Sequence, residues 1–523
     1  MDTLLSVQFL GGVASGDNLT GSAILLIIEQ EKRVIRILID AGLVQTNFKE
    51  FFEKNREILQ QLKPERLDAI VLTHSHLDHI GRLPFLVRNG FGKQGRVICT
   101  EATAGLLRVM LEDSAKIQAI ESSHLKAKLA KEGGQPDLHG RGRDHFTRGN
   151  YDRLKNFNKN KKHCPNGATE PLYDMNDVEI ACNLVKNGGS PYHSWIRLAK
   201  GINLKFYASG HVLGGAIAVI RIETKNGDIH LGFSGDLGRR DGIILPPPEI
   251  VEEPLDYWFS ESTYGGKFHP ERQTEIDDLL KVVRKAADKK QKIIIPSFAL
   301  ERTQEIVYLL SYYMSVRKIP RMNMYLDAPM ATRITKVFSQ NWDLQMFSGQ
   351  DIINFNPFST EENHFLKTVN DKKSSLELLK EPGPYIVIAG SGMCDAGRVR
   401  DHLRAGLSHK QTVVCLVGYM AKNSLGRKLK EGFPIVKMNG DEIIIKAEIV
   451  NFESFSAHAD SSFLVSYTEN IAAPGKLKKI FLVHGEEESA TYLKSELLKV
   501  LPDENKWLKN ILIPKLGQEV KLL

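Results

Sequence analysis

Three histidines and one aspartate lie within six residues of this sequence, and their spacing limits the fold more than any other feature. The segment "VLTHSHLDH" contains His74, His76, Asp78 and His79 directly after an apolar run. A single tight loop after a strand can bring all four side chains toward one point, and imidazole and carboxylate groups are typical metal ligands. The sequence therefore predicts a metal site at the end of a strand.

Other predicted strands also end in histidine or aspartate. Asp40 closes "RILIDAG", His211 lies in "YASGHVLGG", Asp236 lies in "GFSGDLG" and His484 closes "IFLVHGE". A catalytic metal needs an open position and a second metal needs ligands from elsewhere, so these residues could complete a two-metal centre. The set has no thiolate and favours Zn²⁺, although Mn²⁺ would also accept it.

The order of the predicted elements divides the 523-residue chain into three parts. The first part reads as short strands joined by glycine-rich turns. Later, strands alternate with helices, as in "KIIIPSFA" before "ERTQEIVYLLSYYMS", which predicts a parallel sheet. The tail returns to strands that end in histidines. We expect the boundaries to fall at residues 1–265, 266–454 and 455–523.

Composition restricts the cellular compartment and the kind of partner that we expect for the protein. No apolar run approaches the ~18–20 residues that a membrane-spanning helix requires. The N-terminus does not resemble a signal peptide, and five cysteines without CxxC spacing fit a reducing compartment, so a cytoplasmic protein is expected. The net charge of +7, much of it within residues 124–163, favours a polyanionic partner. Lys159, Lys161 and Lys162 in that stretch would either contact phosphates or form a solvated loop.

These motifs together resemble the metallo-β-lactamase fold, and in particular its β-CASP branch, which processes nucleic acids. The branch adds an acidic residue after a strand, matched by Glu261 in "FSESTYGG". It also adds a histidine in a small-residue loop, matched by His458 in "FESFSAHAD", and a histidine before Gly-Glu, matched by His484. The resemblance covers nearly the whole chain. It implies an α/β fold in which a metallo-β-lactamase αββα sandwich carries an inserted parallel-sheet β-CASP domain.

The resemblance also implies a role for each matched residue. One zinc ion would be held by His74, His76 and His211 and another by Asp78, His79 and His484, with Asp236 bridging them. Asp40 would orient a ligand or the bound water. His458 would face the scissile phosphate, and Glu261 would hold its ring and raise its pKa. On local sequence alone, Glu261 reads equally as a helix-start carboxylate and His458 as a capping residue.

The loop "AGSGM" before the helical segment "GRVRDHL" is the best candidate for holding the substrate. Ser391 and Gly392 let the backbone approach a phosphate, and Arg398 and Arg400 add charge. A plain β-to-α turn explains the same glycines, and the resemblance favours RNA binding. The pair Asn423 and Ser424 departs from the family pattern, which usually has Gly-Thr before Leu-Gly-Arg.

The function that the resemblance implies is hydrolysis of RNA. The "VHGE" histidine resembles RNA-processing members of the bacterial type, similar to the cleavage-and-polyadenylation endonuclease, whereas DNA-repair relatives lack it. A metal-activated water would attack the phosphodiester and leave a 5′-phosphate and a 3′-hydroxyl. Cutting within the RNA and cutting from its 5′ end both remain open, and a homodimer is compatible with the sequence. The alternatives are a non-catalytic RNA-binding subunit and a small-molecule hydrolase of glyoxalase or lactamase type.

Overall fold

The computed structural model describes residues 3–131, 170–342 and 354–523, apart from residues 16, 17, 20, 31, 32, 47, 419 and 422. Most of the basic stretch, including its three clustered lysines, lies outside these residues, and its contact with RNA stays a prediction. Residues 124–131 are helical, so the basic stretch begins within α4 (Glu101–Lys131). The local sequence "HLKAKLAK" is rich in strong helix formers, so the preceding helix continues through it.

The first part of the chain contains twelve strands and five helices among the described residues. The strands are β1 (Thr3–Phe9), β2 (Ala14–Ser15), β3 (Asn18–Leu19), β4 (Ile24–Gln30), β5 (Arg33–Ile39), β6 (Ala69–Val71), β7 (Arg96–Ile98), β8 (Ile196–Ala199), β9 (Ile202–Ala208), β10 (Ala216–Thr224), β11 (Gly227–Phe233) and β12 (Tyr257–Glu261). The helices are α1 (Phe48–Arg56), α2 (Leu77–Ile80), α3 (Leu83–Arg88), α4 (Glu101–Lys131) and α5 (Met175–Asn183), with 3₁₀ turns at Glu57–Gln60, Pro64–Arg66 and Lys186–Gly188.

The remaining elements belong to the middle and the tail of the chain. The middle contains α6 (Arg272–Asp288), β13 (Lys292–Pro296), α7 (Arg302–Ser315), β14 (Asn323–Leu326), α8 (Pro329–Gln340), β15 (Leu366–Thr368), α9 (Lys372–Leu378), β16 (Tyr385–Ala389), α10 (Val399–Gly406), β17 (Thr412–Val417), α11 (Leu425–Lys430), β18 (Ile435–Met438), β19 (Asp441–Ile444) and β20 (Glu448–Phe452). The tail contains α12 (Ser461–Ala472), β21 (Lys479–Val483), α13 (Glu487–Val500), α14 (Glu504–Asn510), β22 (Ile511–Leu512) and β23 (Glu519–Lys521).

Two large sheets built from the first part and the tail pack face to face. Their strand orders are β23-β1-β4-β5-β6-β7 and β22-β21-β12-β11-β10-β9-β8. Fully buried apolar side chains of both sheets, such as Val7, Ile28, Phe206 and Ala218, form one core between them. A second core lies between the second sheet and helices α12 and α13. Helices α3 and α4 contribute to the core that includes buried side chains of the first sheet, so the arrangement is an αββα sandwich.

A third sheet is formed by the middle of the chain. Its order is β15-β14-β16-β13-β17-β20, and every neighbouring pair is parallel. Helices alternate with these strands along the chain, as the sequence predicted. The expected fold class, a sandwich with an inserted parallel-sheet domain, is confirmed, while the residue-level boundaries at 265 and 454 stay predictions. None of the described helices is long and apolar enough to cross a membrane.

Three phenylalanines form a rigid base at the centre of the second sheet. Phe233 on β11, Phe259 on β12 and Phe481 on β21 are paired across neighbouring parallel strands. Their rings stack with centroids 4.4 and 4.6 Å apart and are almost completely buried. Offset stacking and burial of such large apolar surfaces stabilise this part of the sheet and fix the directions in which the three strands end.

Candidate metal centre

The residues that the sequence singled out meet where parallel strands end. Asp40 follows β5, Asp236 follows β11, Glu261 ends β12 and His484 follows β21. In sheets of this kind the carboxyl ends of parallel strands form the edge at which ligands collect. Asp40 and His484 have φ angles of 60° and 51°, a left-handed backbone that non-glycine residues seldom adopt and that is common at functional sites.

The loop that carries the His-Asp cluster is fixed by its main chain. Ala41 N donates to His79 O at 2.7 Å, and Ser22 N donates to Asp78 O at 2.7 Å. Gly42 lies so close to this loop that a Cβ atom on it would be 1.6 Å from the carbonyl oxygen of Asp78. Only glycine allows that approach. The ligand loop is therefore held rigidly against the end of the first sheet.

Three imidazoles and one carboxylate converge in a first group. His74 Nε2 is 3.1 Å from His76 Nδ1, which is 3.3 Å from His211 Nε2. Asp236 Oδ2 lies 3.5 Å from both His74 Nε2 and His211 Nε2. Four ligands around a tetrahedral zinc ion at 2.0–2.1 Å are roughly 3.3 Å from one another, so these four atoms have the spacing of a metal site.

Burial keeps the histidines of this group neutral. It lowers the pKa of His76 to about 4, and it holds the pKa values of His74 and His211 well below the usual range. A neutral imidazole offers a lone pair to a metal ion, whereas a protonated one does not. The lone pairs of three neutral imidazoles that face one another would repel. A cation bound between the three rings would remove that repulsion.

A second group of ligand atoms lies on the other side of Asp236. It consists of Asp78, His79 and His484, which can place one ligand atom each within 4.8 Å of the others. Asp236 Oδ1 is 3.4 Å from His79 Nε2 and 3.6 Å from His484 Nε2. Each carboxylate oxygen of Asp236 therefore faces a different ligand group, which is the arrangement required of a bridging ligand.

Unpartnered polar atoms support a metal between these groups. Among the described residues, His79 Nε2 and Asp236 Oδ1 are buried and have no hydrogen-bond partner. Buried polar atoms are nearly always satisfied, and such exceptions at a histidine and a carboxylate fit metal coordination. The residues present therefore fit the divalent ions that the sequence predicted.

Asp40 holds His79 in the orientation that this fit requires. Its carboxylate accepts hydrogen bonds from Thr73 N at 2.8 Å and from Thr73 Oγ1 at 2.9 Å, and it lies 2.7 Å from His79 Nδ1. With a metal ion bound, Nδ1 would keep its proton toward Asp40, and Nε2 would give up its proton and offer its lone pair on the side of Asp236. Burial disfavours the charged ring, but Asp236 and Asp40 outweigh it and raise the pKa of His79 well above its usual range.

We expect Asp40→Asn to weaken metal binding by the second group by roughly 10- to 100-fold, the range typical of residues that orient metal ligands. An amide has one acceptor oxygen where Asp40 now serves the Thr73 hydroxyl, the Thr73 amide and His79. Competition with a metal-binding dye would measure the affinity. Asp228→Asn, at the exposed start of β11 and away from the ligand groups, is the control. Unchanged affinity in Asp40→Asn would show that His79 needs no such support.

His458 and Glu261 lie beside the two ligand groups. His458 Nδ1 is 3.5 Å from Glu261 Oε1 and 4.0 Å from Asp236 Oδ2. Burial lowers the pKa of His458, but Glu261 and then Asp236 outweigh this effect and raise it to about 9. Glu261 also accepts hydrogen bonds from Leu237 N at 2.7 Å and Thr263 N at 3.3 Å, so its oxygens are occupied by the protein. His458 thus has the geometry of a proton donor, and Glu261 that of the carboxylate that orients it.

Two aromatic residues that the sequence did not single out lie beside His458. The ring of Tyr264 stacks on His458 with an interplanar angle of 17° and a centroid distance of 5.7 Å. His269 Nε2 donates to the carbonyl oxygen of His458 at 2.9 Å. Both residues closely follow Glu261 in "ESTYGGKFHPER", so their proximity to that motif was the available signal.

The predicted RNA-binding loop joins β16 to α10, as expected, and its contact with RNA stays a prediction. Ser391 is half-buried and Gly392 is buried beneath the ring of Phe298. Arg398 donates to Asp327 at 2.6 Å and to the carbonyl oxygen of Val369 at 2.8 Å, and only 6% of its surface is exposed.

The guanidinium of Arg400, 7% exposed, donates to Asn439 at 2.9 Å. Both arginines are committed to internal partners, and their positions do not support direct contact with RNA.

Family models match three segments of the chain. Residues 19–105 match the metallo-beta-lactamase superfamily, residues 303–429 match the Beta-Casp domain, and residues 442–514 match the Zn-dependent metallo-hydrolase RNA specificity domain. The chain is also 31% identical over 477 residues to ribonuclease TTHA0252 of Thermus thermophilus, covering 90% of this chain and 91% of that protein. The chain belongs to the β-CASP family of the metallo-β-lactamase superfamily.

Other β-CASP relatives are more distant. The transcription termination factor FttA of Methanocaldococcus jannaschii is 28% identical over 498 residues, which cover 93% of this chain and 68% of that protein. Cleavage and polyadenylation specificity factor subunit 3-I of Arabidopsis thaliana is 24% identical over 467 residues, covering 88% of this chain and 57% of the plant protein. The resemblance stated from the motifs is confirmed.

Proposed function

We propose that this protein is a ribonuclease that uses two divalent metal ions to hydrolyse phosphodiester bonds in RNA. The observation that carries the proposal is Asp236, whose two carboxylate oxygens face two separate groups of ligand atoms beside His458. The similarity to a protein named as a ribonuclease and the match to an RNA specificity domain support RNA as the substrate. Metal-dependent hydrolysis is the chemistry of this family.

Each residue of the metal centre would have a separate role in the reaction. Two divalent ions held here would lower the pKa of a water molecule and offset negative charge on the phosphate. Asp40 keeps His79 oriented, and Asp236 keeps the two groups of ligands at a fixed separation. His458, oriented by Glu261, would donate to a phosphate oxygen or protonate the leaving 3′-oxygen.

Zinc is the metal we propose, because the ligand set combines imidazole and carboxylate without thiolate, and manganese would also fit. We further propose a cytoplasmic setting. The four cysteines in the described residues, Cys99, Cys182, Cys394 and Cys415, are all free, which agrees with a reducing compartment. A homodimer stays a prediction.

The function is tested by incubating the purified protein with end-labelled RNA, with and without a metal chelator. We expect cleavage that stops on chelation and returns with Zn²⁺ or Mn²⁺, and products with a 5′-phosphate and a 3′-hydroxyl. A 2′-O-methyl group at the cut site should not prevent cleavage, since the attacking group is an external water. Binding without cleavage would favour an RNA-binding subunit, and a strict need for the 2′-hydroxyl would rule out this mechanism.

A further inference from the structure

Residues 453–458 lead from β20 to His458, and a carboxylate of another element holds their main chain. Glu275 on α6 accepts a hydrogen bond at Oε1 from Glu453 N at 2.9 Å. It accepts another at Oε2 from Ser454 N at 2.6 Å. Ser454 is fully buried, so an unsatisfied amide there would cost free energy. One carboxylate thus satisfies two consecutive amides of this segment.

Two buried arginines hold carbonyl oxygens of the same segment. Arg239 donates to Ser454 O at 2.7 Å, and Arg272 donates to Ser456 O at 3.4 Å. Asp241 lies between them, accepting two hydrogen bonds from Arg239 at 2.7 and 2.8 Å and lying 3.8 Å from Arg272 Nε. Both arginines are at most 6% exposed. The main chain before His458 is therefore fixed from both its donor and its acceptor side.

The last contact in this series reaches His458 itself. The carbonyl oxygen of His458 accepts from His269, and Ala459 N donates to Leu237 O at 2.8 Å on the opposite side. None of these hydrogen bonds involves the imidazole of His458, which is left to Glu261 and the metal ligands. The position of the ring thus depends on a main chain held by Glu275, the two arginines and His269.

We propose that Glu275 is a positioning residue that places His458 for catalysis through the main chain of residues 453–458, with Arg239, Arg272 and His269 completing the support. Glu275 touches neither the ligand groups nor the imidazole. A misplacement of about 1 Å in a catalytic group can lower a rate by roughly 100-fold, so the support of this segment has kinetic consequences. The proposal rests on the ribonuclease function proposed above.

The test is Glu275→Gln, which keeps the shape of the side chain but replaces one acceptor oxygen with an NH₂ group facing an amide N–H. We expect kcat for RNA cleavage to fall roughly 10- to 100-fold, with KM and metal content unchanged. Glu275→Asp keeps both acceptor oxygens on a shorter side chain and should give an intermediate kcat. Asp278→Asn, at an exposed acid on the same helix that pairs with Lys281, is the control and should match wild type.

A double substitution separates positioning from general damage. In a His458→Ala background, Glu275→Gln should lower kcat no further, because the residue it positions is gone. Hydrogen exchange of a peptide covering residues 452–460 should be faster in Glu275→Gln than in wild type. An equal fall in kcat in both backgrounds, or unchanged exchange, would overturn the proposal. Failure of the wild-type protein to cut RNA would instead count against the ribonuclease function. The comparison of hydrogen exchange would then still show whether Glu275 holds residues 453–458 in place.

Discussion

Asp236→Ala will abolish RNA cleavage and leave the purified protein without bound metal. Both carboxylate oxygens of Asp236 face ligand atoms, Oδ2 toward His74 and His211 and Oδ1 toward His79 and His484, all within 3.6 Å. Removing the carboxylate takes one ligand from each group and leaves neutral or protonated imidazoles facing a cavity. We expect a fall in kcat of at least about 10⁴-fold, the scale on which groups that act as one unit are lost.

The measurement is elemental analysis of the purified variant together with its rate of cleavage of labelled RNA. Asp228→Ala removes a carboxylate at the exposed start of β11 and should keep both metal and activity. An Asp236→Ala protein that holds two metal ions per chain, or that cleaves RNA at a rate near wild type, would show that the bridging role is wrong.

His458→Ala is expected to have the second-largest effect and a different signature. The ring lies beside both ligand groups, but its Nδ1 faces Glu261, so its loss should leave two metal ions in place. General acid catalysis contributes about 10²- to 10⁴-fold to a rate, and we expect kcat to fall by that factor while KM for RNA changes little.

An alternative is built into the same geometry. Asp236, Glu261 and His458 also place ligand atoms within 4.8 Å of one another, which is the spacing of a metal site. Elemental analysis of His458→Ala decides between the two roles. Loss of a metal ion would identify His458 as a ligand, whereas full metal content with low kcat would agree with proton donation.

Local patterns in the sequence predicted the fold and predicted which side chains the structure brings together at the strand ends. The short spacing of His74, His76, Asp78 and His79 restricts them to one loop. Asp236 lies three residues after an apolar strand and His484 directly follows another. Strand ends are readable from one sequence, and the parallel sheet brings them to a common edge. The alternation of strands and helices in the middle part was equally visible.

The contacts that escaped prediction join residues far apart in the chain. Arg398 looked like a phosphate ligand after a glycine-rich turn, but it is paired with Asp327, which belongs to a different strand end. The support of the His458 segment by Glu275 also crosses most of the inserted domain. No periodicity or local motif reports such partners. The sequence around an arginine near a loop therefore does not show whether its guanidinium binds a ligand or pairs with a buried carboxylate.

The pairing of β12 with β21 also makes the metal centre depend on contacts between distant parts of the chain. These strands are neighbours in the sheet, with Glu261 opposite Val483, although the entire inserted domain is synthesised between them. A nascent chain that has just completed the His-Asp loop still lacks His484 and the strand that carries it. Pairing strands so far apart in sequence requires the closure of a long loop, which costs entropy and slows folding. The second ligand group is therefore incomplete until the strand that follows the inserted domain has paired with β12.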